Sequence, residues 1–288
     1  MAIEARSRKI IIPALAVVLV AIALVAGCGR NGSRGGQPQA ATSGLLERIN
    51  RSGELNAGYG VYPPYTQEDP NTRQVSGFSV DIVNEVGRQL NCKVVWHRLN
   101  WNTMSADLRR GEYDLIADPI FQTIPRAREF AFSAPYASFA EGIAVVRKDE
   151  RRFTDFESLD RANVTITVGQ GWASETLVKA SFSKAKIVSV QTTTDLLQVF
   201  NDVLAGRADV AVGDGTDAER FVKEHPDSVK ALWLDNPPAS MAAGFALRPD
   251  DLRGAQFLTV CLRNLRTTGF LKSLEKKYHV RTVPSTQE

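Results

Sequence analysis

The side chains best suited to binding chemistry follow short apolar segments that the sequence predicts to be strands. Arg126 comes shortly after a segment that ends at Ala117, and Asp214 comes directly after one that ends at Val212. An arginine can hold a carboxylate through two parallel hydrogen bonds, and an aspartate can accept hydrogen bonds from an ammonium group. Ligands of α/β proteins bind beside the carboxyl ends of strands. Each side chain taken alone is equally consistent with a surface charge.

A third apolar segment is followed by the glycine-rich turn Gly169-Gln170-Gly171-Trp172. A Gly-x-Gly stretch between a strand and a helix is one part of the dinucleotide-binding motif. The third glycine of that motif is absent, and no acidic residue follows the next strand to bind a ribose hydroxyl. The turn therefore predicts only a helix N-terminus, whose free backbone N–H groups favour an anion such as a carboxylate.

The elements that position these residues are typical of an α/β protein. From residue 45 onward short apolar strands alternate with helices, and in the segment 80–90 apolar residues recur on one helical face. A helix, a glycine cap and a buried strand occur twice, around Gly111 and Gly206, which favours two halves of like construction. The predicted strands are Glu54–Gly58, Lys93–His97, Asp114–Ala117, Gly142–Val146, Val164–Val168, Lys186–Val190 and Asp209–Val212.

The first thirty residues have the pattern of an export signal. Three basic residues precede an uncharged apolar run, Ile10 to Val25, which is shorter than the roughly 20 residues of a membrane-spanning helix. Small residues and then Cys28 follow, and this order resembles the lipobox of bacterial lipoproteins. The resemblance implies removal of residues 1–27, acylation of Cys28 and anchoring to the cell membrane, with the protein on its extracytoplasmic side.

Composition narrows the remaining possibilities. Residues 28–44, rich in small and polar side chains, predict a flexible tether before a globular body that starts near Leu45. The formal net charge of +3 over 288 residues lies partly in the leader and gives no support for nucleic-acid binding. Three cysteines and three histidines offer little material for a metal site, and no cofactor is predicted. Export permits a disulfide, but Cys92 and Cys261 are predicted to be ordinary buried thiols.

An ordered series of motifs resembles the bacterial extracellular solute-binding proteins of family 3, which deliver polar amino acids to ATP-driven importers. Each motif alone is weak, but the set follows the family's order and spacing over almost all of residues 45–280. The motifs are Gly53-Glu-Leu55-Asn-Ala-Gly58, Tyr62-Pro-Pro-Tyr65, Gly77-Phe78-Ser-Val-Asp81-Ile82, Trp101, Gly111-Glu-Tyr-Asp114, Thr123-Ile-Pro-Arg126, Phe132-Ser-Ala-Pro-Tyr136, Asp209-Val-Ala-Val-Gly-Asp214 and Gly269-Phe-Leu-Lys with Lys277-Tyr278.

The resemblance implies an α/β, two-lobed type II periplasmic-binding-protein fold in which two crossover strands form a hinge. Lobe 1 would comprise residues 45–137 and 242–282, lobe 2 residues 138–241, and residues 283–288 a short tail. A ligand would bind in the cleft between the lobes and close them about the hinge.

The family's binding residues can be carried over where the motifs match. In the family, the arginine at the position of Arg126 binds the ligand α-carboxylate, and the hydroxyl at Thr123 lies beside it. The aspartate at the position of Asp214 binds the α-ammonium from the opposite lobe. Tyr62 would cover the ligand side chain, with Trp101 near the same wall. A zwitterion would thus bridge opposite charges on the two lobes.

This chain departs from the family pattern at four positions. Phe121 and Trp172 replace small hydroxyl residues that lie beside the ligand carboxylate. Pro119 replaces a glycine, and Tyr59 stands where an acidic residue is common. The predicted cleft therefore has larger and more apolar walls, with Tyr59, Phe121 and Trp172 among the ligand contacts.

Two ligand classes and three functions stay open at this point. The ligand is either an amino-acid-like zwitterion or a cationic group held by aromatic residues with Asp118 and Asp214. The first function is a monomeric, non-enzymatic binding lipoprotein that passes its ligand to an ABC transporter permease. The second is a periplasmic cyclohexadienyl or prephenate-type dehydratase on the same fold, which needs a general acid such as Glu141 or Glu175. The third is a ligand-sensing partner protein.

Overall fold

The computed structural model describes residues 43–192 and 195–280. The predicted signal peptide, the lipidation site Cys28, almost all of the tether and the tail 283–288 lie outside the described residues. Within the described part of the chain, no helix is long and apolar enough to cross a membrane.

The helices alternate with the strands along the chain. Two short 3₁₀ segments, Glu157–Leu159 and Leu196–Phe200, lie among them. The α-helices are α1 (Leu45–Ser52), α2 (Phe78–Gln89), α3 (Met104–Arg110), α4 (Ile124–Ala127), α5 (Ala173–Ser181), α6 (Asn201–Leu204), α7 (Gly215–Glu224), α8 (Leu252–Thr267) and α9 (Phe270–Tyr278).

The strands are short at the two ends of the sheet and longest at its centre. They are β1 (Glu54–Tyr59), β2 (Gln67–Glu68), β3 (Val75–Ser76), β4 (Lys93–Arg98), β5 (Leu115–Phe121), β6 (Ala131–Phe132), β7 (Ala137–Arg147), β8 (Thr165–Gly169), β9 (Lys186–Val190), β10 (Val210–Asp214), β11 (Val229–Leu232) and β12 (Ala239–Leu247).

Most strands belong to one mixed sheet whose main path runs β4-β1-β5-β12-β7-β10-β8-β9. In the first half, β4, β1 and β5 are parallel and β12 joins them in the antiparallel direction. In the second half, β9, β8 and β10 are parallel and β7 is antiparallel to them. The two halves repeat one order of strands, which agrees with two halves of like construction.

The long strands β7 and β12 carry the chain between the halves. They pair with each other from Ala137–Ala243 to Glu141–Ala239. Beyond this stretch β12 continues beside β5, and β7 continues beside β10. The carboxyl ends of β5 and β10 reach this stretch, because Phe121 pairs with Ala243 and Asp214 pairs with Glu141. Residues that follow those ends therefore meet at the junction of the two halves.

Each half buries a core of its own. The apolar face predicted for residues 80–90 is the buried face of α2, where Val80, Val83 and Val86 are at most 4% exposed. Leu55, Phe78, Leu115 and Phe245 fill the first core with it. The second half is packed by residues of β7, β8 and β10 such as Val146, Val168 and Val212. The first core also reaches Ala173 and Leu196 of the second half, so apolar contacts continue across the junction.

The two cysteines of the described body are separate thiols. Cys92 and Cys261 are half-buried, form no disulfide and pack against the core of the first half. Burial raises the pKa of the Cys261 thiol to about 11 and raises that of Cys92 as well. Both side chains are therefore protonated apolar contacts near neutral pH.

Candidate ligand-binding site

A cavity of about 60 Å³ lies at the junction between the two halves. The first half contributes residues that follow β1 and β4, the last residues of β5, and one residue of α4. The second half contributes residues of β7, β10, α5, α7 and the second 3₁₀ segment, with Trp172 just before α5. Its polar lining comprises Arg126, Glu141, Ser174, Asp214 and Asp217. Its aromatic and apolar lining comprises Tyr62, Trp101, Pro119, Ile120, Phe121, Trp172, Ala173 and Leu196.

Arg126 reaches the cavity from the short helix α4, and its side chain contacts both halves. Thr123 caps this helix, its Oγ1 accepting a hydrogen bond from the Arg126 backbone N–H at 3.4 Å. The guanidinium donates to the carbonyl oxygen of Gly171 at 3.2 Å and lies 3.5 Å from that of Phe121. Burial lowers the Arg126 pKa to about 10, so the group is cationic near neutral pH. Its partners are carbonyl oxygens, which a ligand carboxylate could replace.

Asp214 reaches the cavity from the other half, where β10 ends and α7 begins. Its Oδ1 accepts hydrogen bonds from the backbone N–H groups of Thr216 at 2.8 Å and Asp217 at 3.1 Å, which caps α7. The Tyr62 hydroxyl of the first half donates to the same oxygen at 3.0 Å. Burial raises the pKa of the Asp214 carboxyl. Cap geometry therefore fixes the direction in which this carboxylate faces.

Two further carboxyl groups, which were not among the predicted ligand contacts, also line the cavity. Glu141 on β7 is 1% exposed, and burial followed by the nearby Asp214 raises its pKa to about 8. Asp217 is equally buried and pairs with Arg220 at 3.0 Å, while burial and Asp214 raise its pKa well above the usual range. Glu141 had a sequence signal, since it is the only acidic residue in the apolar stretch 137–146. Asp217 had a weaker one, three residues after Asp214 on a helix.

Aromatic rings form the remaining walls. Trp101 and Trp172 fit closely because each packs against a glycine. A Cβ atom at Gly60 would lie 2.3 Å from the Trp101 ring, and one at Gly169 would lie 2.1 Å from the Trp172 ring. Tyr62, Trp101, Phe121 and Trp172, which were predicted as ligand contacts, all line the cavity.

Three residues expected at the ligand do not line the cavity. Asp118 is fully buried inside β5, because that strand continues to Phe121 instead of ending at Ala117. Its carboxyl accepts hydrogen bonds from the Gly60 N–H and the Thr66 hydroxyl, and burial raises its pKa to about 6. Asp118 therefore braces the segment after β1.

The other two residues are held by neighbours within the first half. Tyr59, at the end of β1, donates its hydroxyl to Glu68 at 2.8 Å. The Thr123 hydroxyl caps α4, where it accepts the hydrogen bond from the Arg126 backbone N–H. Glu175, the second glutamate considered as an acid, is also outside the cavity lining, where it accepts from the Gly171 N–H at 2.6 Å and pairs with Lys179.

The carboxylates of the cavity are not arranged as metal ligands. Among the residues that the structure describes, no group of three or more histidine, cysteine, aspartate or glutamate side chains could hold a metal ion. What the cavity offers is a half-buried guanidinium, buried carboxyl groups and aromatic faces. Such groups suit a small organic ligand that carries charge.

Comparison with known proteins identifies one protein family over almost all of the described body. The family described as bacterial extracellular solute-binding proteins, family 3, matches residues 55–281. A probable amino-acid ABC transporter-binding protein of Haemophilus influenzae is 24% identical over 231 residues, covering 80% of this chain and 86% of that protein. The cyclohexadienyl dehydratase of Pseudomonas aeruginosa is 27% identical over 183 residues, covering 63% of this chain and 67% of that protein.

A solved structure shows the same architecture. The ancestral amino acid-binding protein AncCDT-1, a precursor of cyclohexadienyl dehydratase, superposes with a TM-score of 0.69 at 27% identity. The match covers 81% of this chain and 98% of that one. The predicted α/β, two-lobed type II fold with two crossover strands is therefore confirmed. The chain belongs to the family 3 bacterial extracellular solute-binding proteins.

Proposed function

We propose that the protein captures a small amino-acid-like ligand in the cavity between its halves and delivers it to an ABC importer. The observation that carries this proposal is the placement of Arg126 and Asp214 on different halves facing one cavity. A ligand carboxylate would bind Arg126, and a ligand ammonium would bind Asp214. Delivery to an importer is supported by the Haemophilus influenzae relative, which is named as a probable amino-acid ABC transporter-binding protein.

Binding would exchange contacts that the cavity residues make within the protein. The ligand carboxylate would take over the guanidinium donors now directed at Phe121 and Gly171. The ammonium would take the free acceptor positions of Asp214, whose Oδ1 stays fixed by the α7 cap. Because the two charges sit on opposite halves, one ligand fills both sites only when the halves are close together.

The experiment that tests this proposal is a thermal-shift screen of amino acids followed by calorimetry on the mature body. We expect at least one amino acid to raise the melting temperature, since a ligand that binds only the folded state stabilises it. Arg126→Ala should then abolish its binding. Arg128→Ala is the matched control, because that arginine is exposed and lies outside the cavity lining. Unchanged affinity in Arg126→Ala would contradict the proposal.

We also infer where the protein acts and how it is held there. The protein acts as a monomer, and the lipobox-like sequence before Cys28 supports its anchoring by acyl chains to the extracytoplasmic face of the cell membrane. Phase partitioning of the whole protein in detergent tests this anchor. The native protein should enter the detergent phase, and Cys28→Ser should stay in the aqueous phase.

Dehydration of a cyclic acid is a second candidate function, and one observation favours it. Glu141 is a buried carboxyl group in the cavity with a pKa raised to about 8, so it holds a proton that a general acid could donate near neutral pH. The relative from Pseudomonas aeruginosa carries a dehydratase name. Turnover of prephenate that is lost in Glu141→Gln would support this function, and binding of amino acids without any turnover would exclude it.

A further inference from the structure

Glu141 stands directly opposite Asp214 at the junction of the halves. The two residues are register partners on the antiparallel strands β7 and β10, and both line the cavity. The register shifts between Gly213 and Asp214, and both side chains still line the same cavity. Like charges on paired strands destabilise the pair. The two carboxyl groups can therefore both ionise only if one of them gains a cationic partner.

The protein itself gives Glu141 only neutral hydrogen-bond partners. Its Oε1 accepts from the Gly142 N–H at 3.0 Å, and the Ser174 hydroxyl also bonds to the carboxyl. Arg126 is near enough to favour the ionised form, but no salt bridge joins Glu141 to a basic side chain among the described residues. A buried carboxylate without a cationic partner is costly, and this one faces open space in the cavity.

If every carboxyl group of the cavity ionised, one negative charge would be uncompensated. Of the three lining carboxylates, Asp217 is paired with Arg220, which lies outside the lining. Arg126 is the one basic side chain among the described lining residues, and it is near enough to Glu141 to favour the ionised form of that carboxyl. With Glu141 and Asp214 both ionised, the cavity would carry a charge of minus one, and near neutral pH the ligand-free protein avoids that charge by keeping Glu141 protonated. A ligand of net charge plus one would compensate the ionised Glu141, whereas a neutral zwitterion would leave Glu141 protonated.

We propose that Glu141 binds a second positive charge on the ligand, so that the protein selects amino acids with a cationic side chain. This inference rests on the proposed function, since Arg126 and Asp214 hold the α-carboxylate and α-ammonium. Glu141 adds a third contact for a side-chain ammonium or guanidinium. The aromatic walls suit the same ligand, because cations are attracted to the faces of tryptophan and tyrosine. Trp101, Trp172 and Tyr62 supply such rings in the lining.

The test uses pairs of amino acids that differ in side-chain charge and little in shape. Arginine is compared with citrulline, and lysine with norleucine, by calorimetry on the native protein. We expect the cationic member of each pair to bind at least about tenfold more tightly, since a buried charge pair is worth several kcal/mol on truncation. Glu141→Gln should remove most of this preference, because affinity for the cationic member of each pair should fall much further than affinity for the neutral member. Glu224→Gln, an exposed glutamate on α7, is the matched control.

The pH profile separates a charge role from a structural one. Arg126 faces Glu141 from α4, Asp214 and Asp217 face it from β10 and α7, and Tyr62 lies across the cavity. Because Glu141 is largely protonated at neutral pH, a cationic ligand must displace that proton, whereas a neutral ligand leaves it in place. Affinity for arginine should therefore rise from pH 6 to pH 8.5 in the native protein and lose that rise in Glu141→Gln.

The outcomes distinguish this inference from the proposed function beneath it. If amino acids bind with no preference for a positive side chain, or if Glu141→Gln keeps the preference, the role of Glu141 is overturned and the function stands. If no amino acid binds the native protein, the proposed function fails first. The comparison within the native protein needs no variant, so it holds even where a substitution alters folding.

Discussion

At the scale of single residues, the cavity is defined by buried groups whose protonation differs from that in water. Burial lowers the pKa of Arg126 and raises the pKa of Glu141, Asp214 and Asp217. Each of these shifts reflects a charge that water no longer solvates. Such perturbed groups cluster at functional sites, and here they cluster in one lining. Their shifts make stability as well as binding depend on pH.

Glu141 should make the ligand-free protein less stable as pH rises. The pKa of its carboxyl is about 8 in the folded protein and 4.5 in the unfolded reference, so the folded state holds the proton more tightly. Between about pH 5 and pH 8 the unfolded state alone loses that proton, which lowers the free energy of unfolding. Glu141→Gln should flatten this decline in urea unfolding measured at pH 5 and pH 8. An unchanged slope would contradict the raised pKa of Glu141. Asp214 and Asp217, whose pKa values are also raised, add to the decline in stability with rising pH.

Asp214 caps α7 and is proposed to bind the ligand ammonium. A pair of substitutions can separate these two roles. Asparagine is an N-cap residue as good as aspartate, so Asp214→Asn should keep α7 capped while removing the carboxylate. Asp214→Ala should remove both and cost about 1 kcal/mol of unfolding free energy. Calorimetry should find amino-acid binding abolished in both variants, and urea unfolding should find only the alanine variant destabilised. Retained binding in the asparagine variant would show that the charge is not needed.

At the scale of elements, the sequence predicted where strands occur better than where they end. Lys186–Val190 agrees residue for residue, and Glu54–Gly58 differs by one residue. The strand predicted to end at Ala117 continues to Phe121, because pairing with β12 supplies partners that a local pattern does not contain. That extension moves Asp118 from the expected cleft into a strand. The register that sets Glu141 opposite Asp214 is likewise a long-range pairing, which spacing along the chain cannot reveal.

Of the two predicted glycine caps, one is the actual helix cap and the other lies one residue beyond it. Gly111 caps α3 in a left-handed conformation, as expected. Gly206 also has a positive φ of 68°, but it lies beyond the actual cap of α6, which is Ala205. The end of a helix can shift by a residue when the following strand fixes the backbone, and sequence periodicity does not record that shift.

The turn between β8 and α5 should be sensitive to a single methyl group. In Gly169→Ala the new Cβ would lie 2.1 Å from the Trp172 ring, so the indole must leave its place in the cavity wall. We expect a loss of about 1–3 kcal/mol in unfolding free energy and weaker ligand binding. The same substitution in a Trp172→Ala background should cost clearly less, because the clash is gone. Equal costs in the two backgrounds would show that the ring is not the cause.

At the scale of the whole molecule, side chains connect the halves across the cavity in addition to the crossover strands. Tyr62 of the first half donates to Asp214 of the second, and Arg126 donates to Gly171. The family resemblance predicted a cleft with groups on both sides, and among those groups the structure places Tyr62 within hydrogen-bond reach of Asp214. These contacts favour the closed arrangement. A ligand carboxylate must therefore bind Arg126 more favourably than the Gly171 carbonyl oxygen that it replaces, while the Tyr62–Asp214 hydrogen bond is kept.

Tyr62→Phe should weaken this connection without changing the charges of the cavity. It removes one hydrogen bond between the halves, which is worth about 0.5–1.5 kcal/mol, so ligand affinity should fall by roughly two- to twelvefold. Small-angle scattering of the ligand-free variant should give a larger radius of gyration, because fewer contacts hold the halves together. Tyr113→Phe is the matched control, since its hydroxyl donates to Met104 within the first half. If the two variants behave alike, the Tyr62 hydroxyl does not hold the halves together.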